Sequence, residues 1–196
     1  PCLALLESTP QPLGRDDDLS EAAVERMLRV MQAASRLGCS SAGVPIEATD
    51  DEDSLSLASE NCKRLLERAD RLEINLLISP RKGLTHTPDR LAALMKKIGG
   101  FRVGSLPDFE AADQSGDAPD YLRRITPYAS VVLASTRGFD AAGNHKTYDL
   151  KTLTDAIVSV GFDGSLAIEH RGPGDPVEGL KASRETMMEL LGERLA

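Results

Sequence analysis

A chain of 196 residues with 41% hydrophobic side chains is long enough to bury a core as one domain, 1–196. Its formal net charge of −8 opposes nucleic-acid binding, which needs a basic surface to neutralise phosphates, and no apolar run approaches the roughly 18 residues of a membrane-spanning helix. Cys2, Cys39 and Cys62 are odd in number and far apart in the chain, which fits neither a disulfide framework nor a zinc knuckle and points to reduced thiols and a cytoplasmic location.

The chain opens on Pro1-Cys2 rather than methionine, as in a processed chain or a piece of a longer one. LALLE (3–7) is the first apolar run of strand length. Pro10 to Asp18 is a loose stretch, and its Asp16-Asp17-Asp18 run reads as a solvated loop. Ser20 is placed to cap a helix whose apolar face is Val24, Met27, Leu28, Met31 and Ala34, stopped near Gly38. SSAGVPI (40–46) is a second strand, and Leu55, Ala58, Cys62, Leu65, Leu66 and Ala69 mark a second amphipathic helix. INLLIS (74–79) leads to Thr87-Pro88, a capping hydroxyl followed by proline at the first helical position. Leu91, Leu94, Met95 and Ile98 follow at helical spacing, ended by Gly99-Gly100. RVGSLP (102–107) and SVVLAS (130–135) are further strands, and Asp149 opens a helix with Leu150, Leu153, Ile157 and Val160. SLAIE (165–169) is the sixth strand, and a last helix runs from about Val177 through Leu180, Met187 and Leu190.

Strands that are apolar on consecutive positions, alternating with helices, imply an α/β protein with a parallel sheet, either doubly wound or a closed barrel. In both, chemistry gathers where strands end, which singles out Glu7, Ile46-Glu47, Ser79, Asp108, Ser135 and Glu169. Of these, Asp108 and Glu169 are carboxylates of the kind an oxygen-rich metal site uses. No glycine-rich nucleotide fingerprint follows the first strand and no P-loop occurs. Gly172-Pro173-Gly174 reads as a turn. His170, next to Glu169, points to the opposite face of its strand and reads as a packing residue. His86 and His145 read as surface residues, and Phe139-Asp140 and Tyr148 as loop packing.

VGSLPDFEA (103–111), ASTRGFDAAGNHKTYDL (134–150) and VGFDGSLAIEHRGPGDPVEGLKAS (160–183) resemble the C-terminal half of the xylose-isomerase-like TIM-barrel family. That family comprises sugar and sugar-phosphate isomerases and epimerases, with endonuclease IV relatives. The likeness runs without gaps over roughly residues 74–185, while the front of the chain fits in element order. It implies a (β/α) TIM-type barrel of about six βα units. A full barrel of eight needs about 250 residues, so the N-terminal part of the barrel is expected to be missing.

The resemblance also implies a divalent-metal site (Mg, Mn, Co or Zn) on strand-end carboxylates. Asp108 in LPDF and Glu169 in AIEH take the positions of metal ligands, with Glu169 also the catalytic base; Arg81 and Arg137, which the resemblance does not assign, are the expected substrate-binding residues. Two departures weaken that site. Ser79-Pro80-Arg81 stands where the family has Glu-Asn-His, and Ser79 supplies neither base nor anionic charge. Val132-Leu133-Ala134-Ser135 stands where many members place His or Lys. The alternative to a metal is a carboxylate pair satisfied by Arg81, Arg137 or Arg171, since a guanidinium can meet the same oxygens with paired hydrogen bonds.

The expected protein is therefore isomerase- or epimerase-like with a degraded metal site, or a non-catalytic barrel used for binding or assembly. The nuclease branch is disfavoured, because its zinc cluster needs several histidines. The expected partners are a small sugar or sugar phosphate and further copies of the chain, with no nucleic acid and no membrane.

Overall fold

The computed structural model describes residues 2–140 and 143–195. The six expected strands are all present: β1 (Ala4–Leu6), β2 (Ser41–Pro45), β3 (Asn75–Ser79), β4 (Val103–Ser105), β5 (Val131–Thr136) and β6 (Ser165–His170). The helices are α1 (Asp18–Arg36), α2 (Glu52–Leu72), α3 (Pro88–Ile98), α4 (Phe109–Gln114), α5 (Ala118–Ile125), α6 (Leu150–Ser159) and α7 (Pro176–Leu195). The chain parts into two compact units, residues 1–106 and 107–196.

In the first unit β1 to β4 form a parallel sheet in chain order, with Ala4 opposite Ser41, Gly43 opposite Leu77 and Ile78 opposite Ser105. Parallel neighbours need crossovers, and α1, α2 and α3 supply them. All of β2 is buried, which explains its continuous apolar reading. Thr87 caps α3 as expected, its side chain accepting from Arg90 N. At α1 the cap is Asp17 rather than Ser20. The Asp17 carboxylate accepts from Leu19 N and Ser20 N, and Ser20 accepts in return from the Asp17 amide, which completes a capping box. The acidic run is thus partly a helix start, where negative charge also meets the positive end of the helix dipole.

In the second unit β5 pairs with β6 in parallel, Val131 opposite Ser165 through Thr136 opposite His170. Asp108 forms one further parallel bridge to Leu133, supported by the Leu133 N–H donating to Pro107 O at 2.8 Å. Two helices here have no counterpart in the sequence reading. α4 has six residues and α5 has eight, too short to show a helical period, and their caps, Asp108 and Asp117, are the better signal. Phe109 and Tyr121 from these helices are among the largest fully buried side chains.

Candidate functional site

The strand ends of the second unit bring together three carboxylates and two arginines. Asp108 follows β4 and caps α4. Its Oδ1 accepts from Ala111 N at 3.1 Å and from Ser135 Oγ at 2.9 Å, and only 7% of the residue is exposed. Ser135 lies at the end of β5, opposite Glu169 in register, and its Oγ also accepts from Glu110 N at 2.9 Å. One hydroxyl thereby fixes the backbone of α4 and the Asp108 carboxylate together. Tyr148 donates its O–H to Ser135 O at 2.6 Å and is buried; burial pushes its phenol up to about 12, so it stays protonated.

Arg171 leaves β6 and occupies the centre of the cluster. Its Nη2 donates to Asp108 Oδ2 at 2.6 Å and to Glu169 Oε2 at 2.7 Å, and its Nη1 donates to Glu110 Oε2 at 2.9 Å. Arg137, at the end of β5, donates through Nε to Glu110 Oε1 at 2.7 Å and pairs with the same oxygen through Nη2. Burial works against charge on Arg171, but the hydrogen bonds it donates to Glu169 and Asp108 prevail and raise its pKa. Burial alone would raise Glu110; the hydrogen bonds from Arg171 and Arg137 outweigh it and hold the carboxyl below its ordinary range.

His145 is a loop organiser rather than a surface residue. Its Nε2 accepts from Arg137 N at 2.8 Å, which places the ring proton on Nδ1, facing Tyr148 O at 3.0 Å. Its ring stands edge-on to Phe139 and 4.2 Å from Tyr148, and burial lowers its pKa. His86 is exposed. His170 packs as expected: Nδ1 lies 3.1 Å from Thr136 Oγ1, and its ring fills the space that a Cβ on Gly179 of α7 would take.

The first unit holds the remaining candidates. Ser79 ends β3, and Arg81 is exposed, donating to Ser8 O at 3.3 Å. Glu7, at the end of β1, is buried and engaged with Arg26 Nε at 2.5 Å and Thr9 N at 2.9 Å. It is a structural ion pair within its own unit.

The donor set is a poor match for a divalent cation. Asp108, Glu110 and Glu169 all direct an oxygen to Arg171, so a permanent positive charge stands among the oxygens that a hard cation would take. Among the described residues no group of three His, Cys, Asp or Glu is placed to hold a metal ion. The residues as arranged do not fit one.

Buried Glu7 and half-buried Glu110 give a pH prediction. Arg26 at Glu7, and Arg171 and Arg137 at Glu110, lower these groups from an ordinary value of 4.5. Each therefore binds its proton more readily in the unfolded chain. Their stabilisation is complete above pH 4.5 and is lost as pH falls below it towards the folded values. Calorimetric melting should show a transition temperature that falls below pH 4.5, with a shallower fall in Glu110→Gln; an equal slope in the two proteins would remove Glu110 from the account.

The sequence matches the family described as xylose isomerase-like TIM barrel over residues 3–190. The chain belongs to that family. Its fold is similar to that of a D-tagatose 3-epimerase-like protein (TM-score 0.81, 17% identity, covering 100% of this chain and 80% of that one). An L-ribulose 3-epimerase is similar with TM-score 0.86 at 15% identity, covering 98% of this chain and 75% of that one. A xylose isomerase-like TIM-barrel protein from Mycobacterium smegmatis, in complex with magnesium, gives TM-score 0.72 at 17% identity, covering 99% and 74%. Among curated proteins none matches the sequence. These structural likenesses establish a TIM-barrel-type α/β fold built of about six βα units, and the family match makes the chain xylose isomerase-like at the level of the family. No helix among the described residues is long and apolar enough to cross a membrane.

Proposed function

We propose that this protein binds a small sugar or sugar phosphate at the Asp108–Glu169–Arg171 cluster and catalyses proton transfer beside its carbonyl without a divalent cation. The observation that carries the reading is Arg171, whose guanidinium reaches Asp108, Glu110 and Glu169 at 2.6–2.9 Å. Three of its five N–H groups are engaged in this way, which leaves two donors for a ligand oxygen. Charge growing on that oxygen as an enediolate forms would meet a fixed, correctly signed group.

Glu169 is the base in this reading. Its side chain is 47% exposed, against 10% for Asp108 and 13% for Glu110, so it is the carboxylate a ligand can approach. Asp108 is held by its cap, Ser135 and Arg171 and serves to position the guanidinium. One accessible base favours isomerisation over epimerisation: a single carboxylate can take a proton from one carbon and return it to the neighbouring carbon on the same face, whereas inversion at a carbon needs groups on both faces. Arg137 holds Glu110 in place, and a role for Arg137 in gripping the substrate belongs to this proposal as well. The second reading, a non-catalytic sugar-binding barrel, is favoured by the engagement of Glu169 Oε2 with Arg171.

The test is proton exchange into D2O at the carbon beside the carbonyl of a panel of ketoses and aldoses, with EDTA present, followed by NMR. Exchange in the wild type and at least a hundredfold less in Glu169→Gln is expected, about the size of a lost acid/base group. Exchange that appears only when Mn²⁺ is added would overturn the cation-free mechanism. Binding without exchange would establish the second reading.

A further inference from the structure

We propose that Asp163–Gly164 is a self-modification site, where the Gly164 nitrogen closes on the Asp163 side chain and converts the linkage to isoaspartate. Of the 16 glycines in the sequence, Gly164 alone follows an aspartate, and none follows an asparagine. The pair falls in the short link between the end of α6 at Ser159 and the start of β6 at Ser165.

Ring closure needs a free amide, a free carboxylate and little steric obstruction. The turn that ends α6 engages Gly161 N, which donates to Val158 O at 2.9 Å, and Phe162 N, which donates to Ile157 O at 3.4 Å. The next engaged amide is Ser165 N, which donates to Ser130 O at 3.0 Å. Between them, Asp163 N and Gly164 N donate to no backbone group among the described residues. Asp163 and Gly164 are both exposed, and no hydrogen bond or ion pair ties the Asp163 carboxylate to a described residue. Glycine adds no side chain to hinder the backbone rotation that brings nitrogen to carbon. Asp53–Ser54 is the contrasting pair in the same chain. Ser54 is buried, and its N–H donates to Asp51 Oδ1 at 2.7 Å in the first turn of α2, so that bond must break before the nitrogen can attack.

In the first step the Gly164 nitrogen attacks Asp163 Cγ and a C–N bond forms. One carboxylate oxygen leaves as water, taking the amide proton and one proton from solvent. Water then adds to the former peptide carbonyl of the succinimide, and the bond from that carbon to nitrogen breaks. The nitrogen regains a proton, and the old peptide carbon becomes a free carboxylate. No oxidant is consumed and the mass is unchanged, but the main chain now runs through Cβ and is one atom longer. That atom enters a crowded place. A Cβ built on Gly164 would lie 2.5 Å from Ser130 O and 2.7 Å from Phe162 Cε2. Ser165, the next residue, begins the pairing of β6 with β5. Isomerisation therefore loosens the first hydrogen bond of the strand that carries Glu169 and leads to Arg171.

The experiment ages the full folded chain at neutral pH and measures isoaspartate with an isoaspartyl methyltransferase and S-adenosylmethionine. Peptide mapping with a protease that cuts before aspartate but not isoaspartate then locates it. Isoaspartate at 163 is expected to exceed that at 53 by about tenfold or more, the scale of opening a hydrogen bond to a charged acceptor. The aged chain should melt at a lower temperature than the fresh one. Asp163→Glu, an exposed change that keeps the charge but needs a larger ring, should hold its melting temperature over the same period. No isoaspartate at 163, comparable amounts at 163 and 53, or an equal loss of melting temperature in Asp163→Glu would overturn the proposal.

Discussion

Replacing Arg171 with methionine is expected to cost about 3 kcal/mol of stability, the low end for removing one partner of a buried ion pair, because Arg171 keeps some contact with water. The change leaves the Asp108, Glu110 and Glu169 carboxylates facing one another, with Arg137 still paired to Glu110. Their repulsion should also create an appetite for a hard cation that the wild type lacks. Calorimetric titration with Mn²⁺ should show no binding below millimolar in the wild type and at least tenfold tighter binding in Arg171→Met. Adding Mn²⁺ should then restore part of the lost melting temperature, since a ligand that binds only the folded state stabilises it. Arg171→Lys is the control. It keeps the charge but not the fork of donors, and it should stay indifferent to Mn²⁺ at intermediate stability. Tight Mn²⁺ binding by the wild type would show that the guanidinium yields its place to a metal.

Gly172→Ala should be the second severe change. A Cβ at this position would run into the carbonyl oxygen of Arg137, a backbone atom with no rotamer to escape into. The ends of β5 and β6 must then move apart at the level where Arg137 and Arg171 leave their strands. Overpacking of this kind costs about 1–3 kcal/mol, and here the shift also lengthens the hydrogen bonds from Arg171 to Asp108 and Glu110. Equilibrium denaturation should place Gly172→Ala at least 2 kcal/mol below the wild type, near the top of that range. Gly174→Ala, with open space around its added Cβ but a φ of +98°, should cost about 1 kcal/mol. Equal losses at the two glycines would mean that strain in the turn, rather than the approach of the strands, sets the effect.

Much of this architecture was legible from residue pattern. Six apolar runs became six strands, and Thr87-Pro88 and Asp149 marked helix starts because capping and proline placement act locally. Asp108 and Glu169 stood out because each ends a strand run, and the structure brings both to one nitrogen of Arg171. What pattern did not single out was Glu110, two residues into a segment with no helical period, and the choice of Arg171 over Arg81 and Arg137 as the bridging cation. That choice depends on where the backbone emerges after β6, a tertiary matter. Ser20 and Asp17 show the same limit at short range: both residue types cap helices, and only the backbone geometry says which one stands first.

The Arg171 contacts also bear on the order in which the second unit folds. Arg171 lies 63 residues beyond Asp108 and 61 beyond Glu110 in the chain, whereas Arg137 lies 27 beyond Glu110. Longer loops close later, because their entropy is lost before their contacts reward it. α4 and β5 can therefore meet through Ser135 and Arg137 while Asp108 still lacks its guanidinium. Docking of β6 supplies that charge, so the polar centre of the cluster is expected to be completed late, and refolding that slows with added salt is the measurement that checks it.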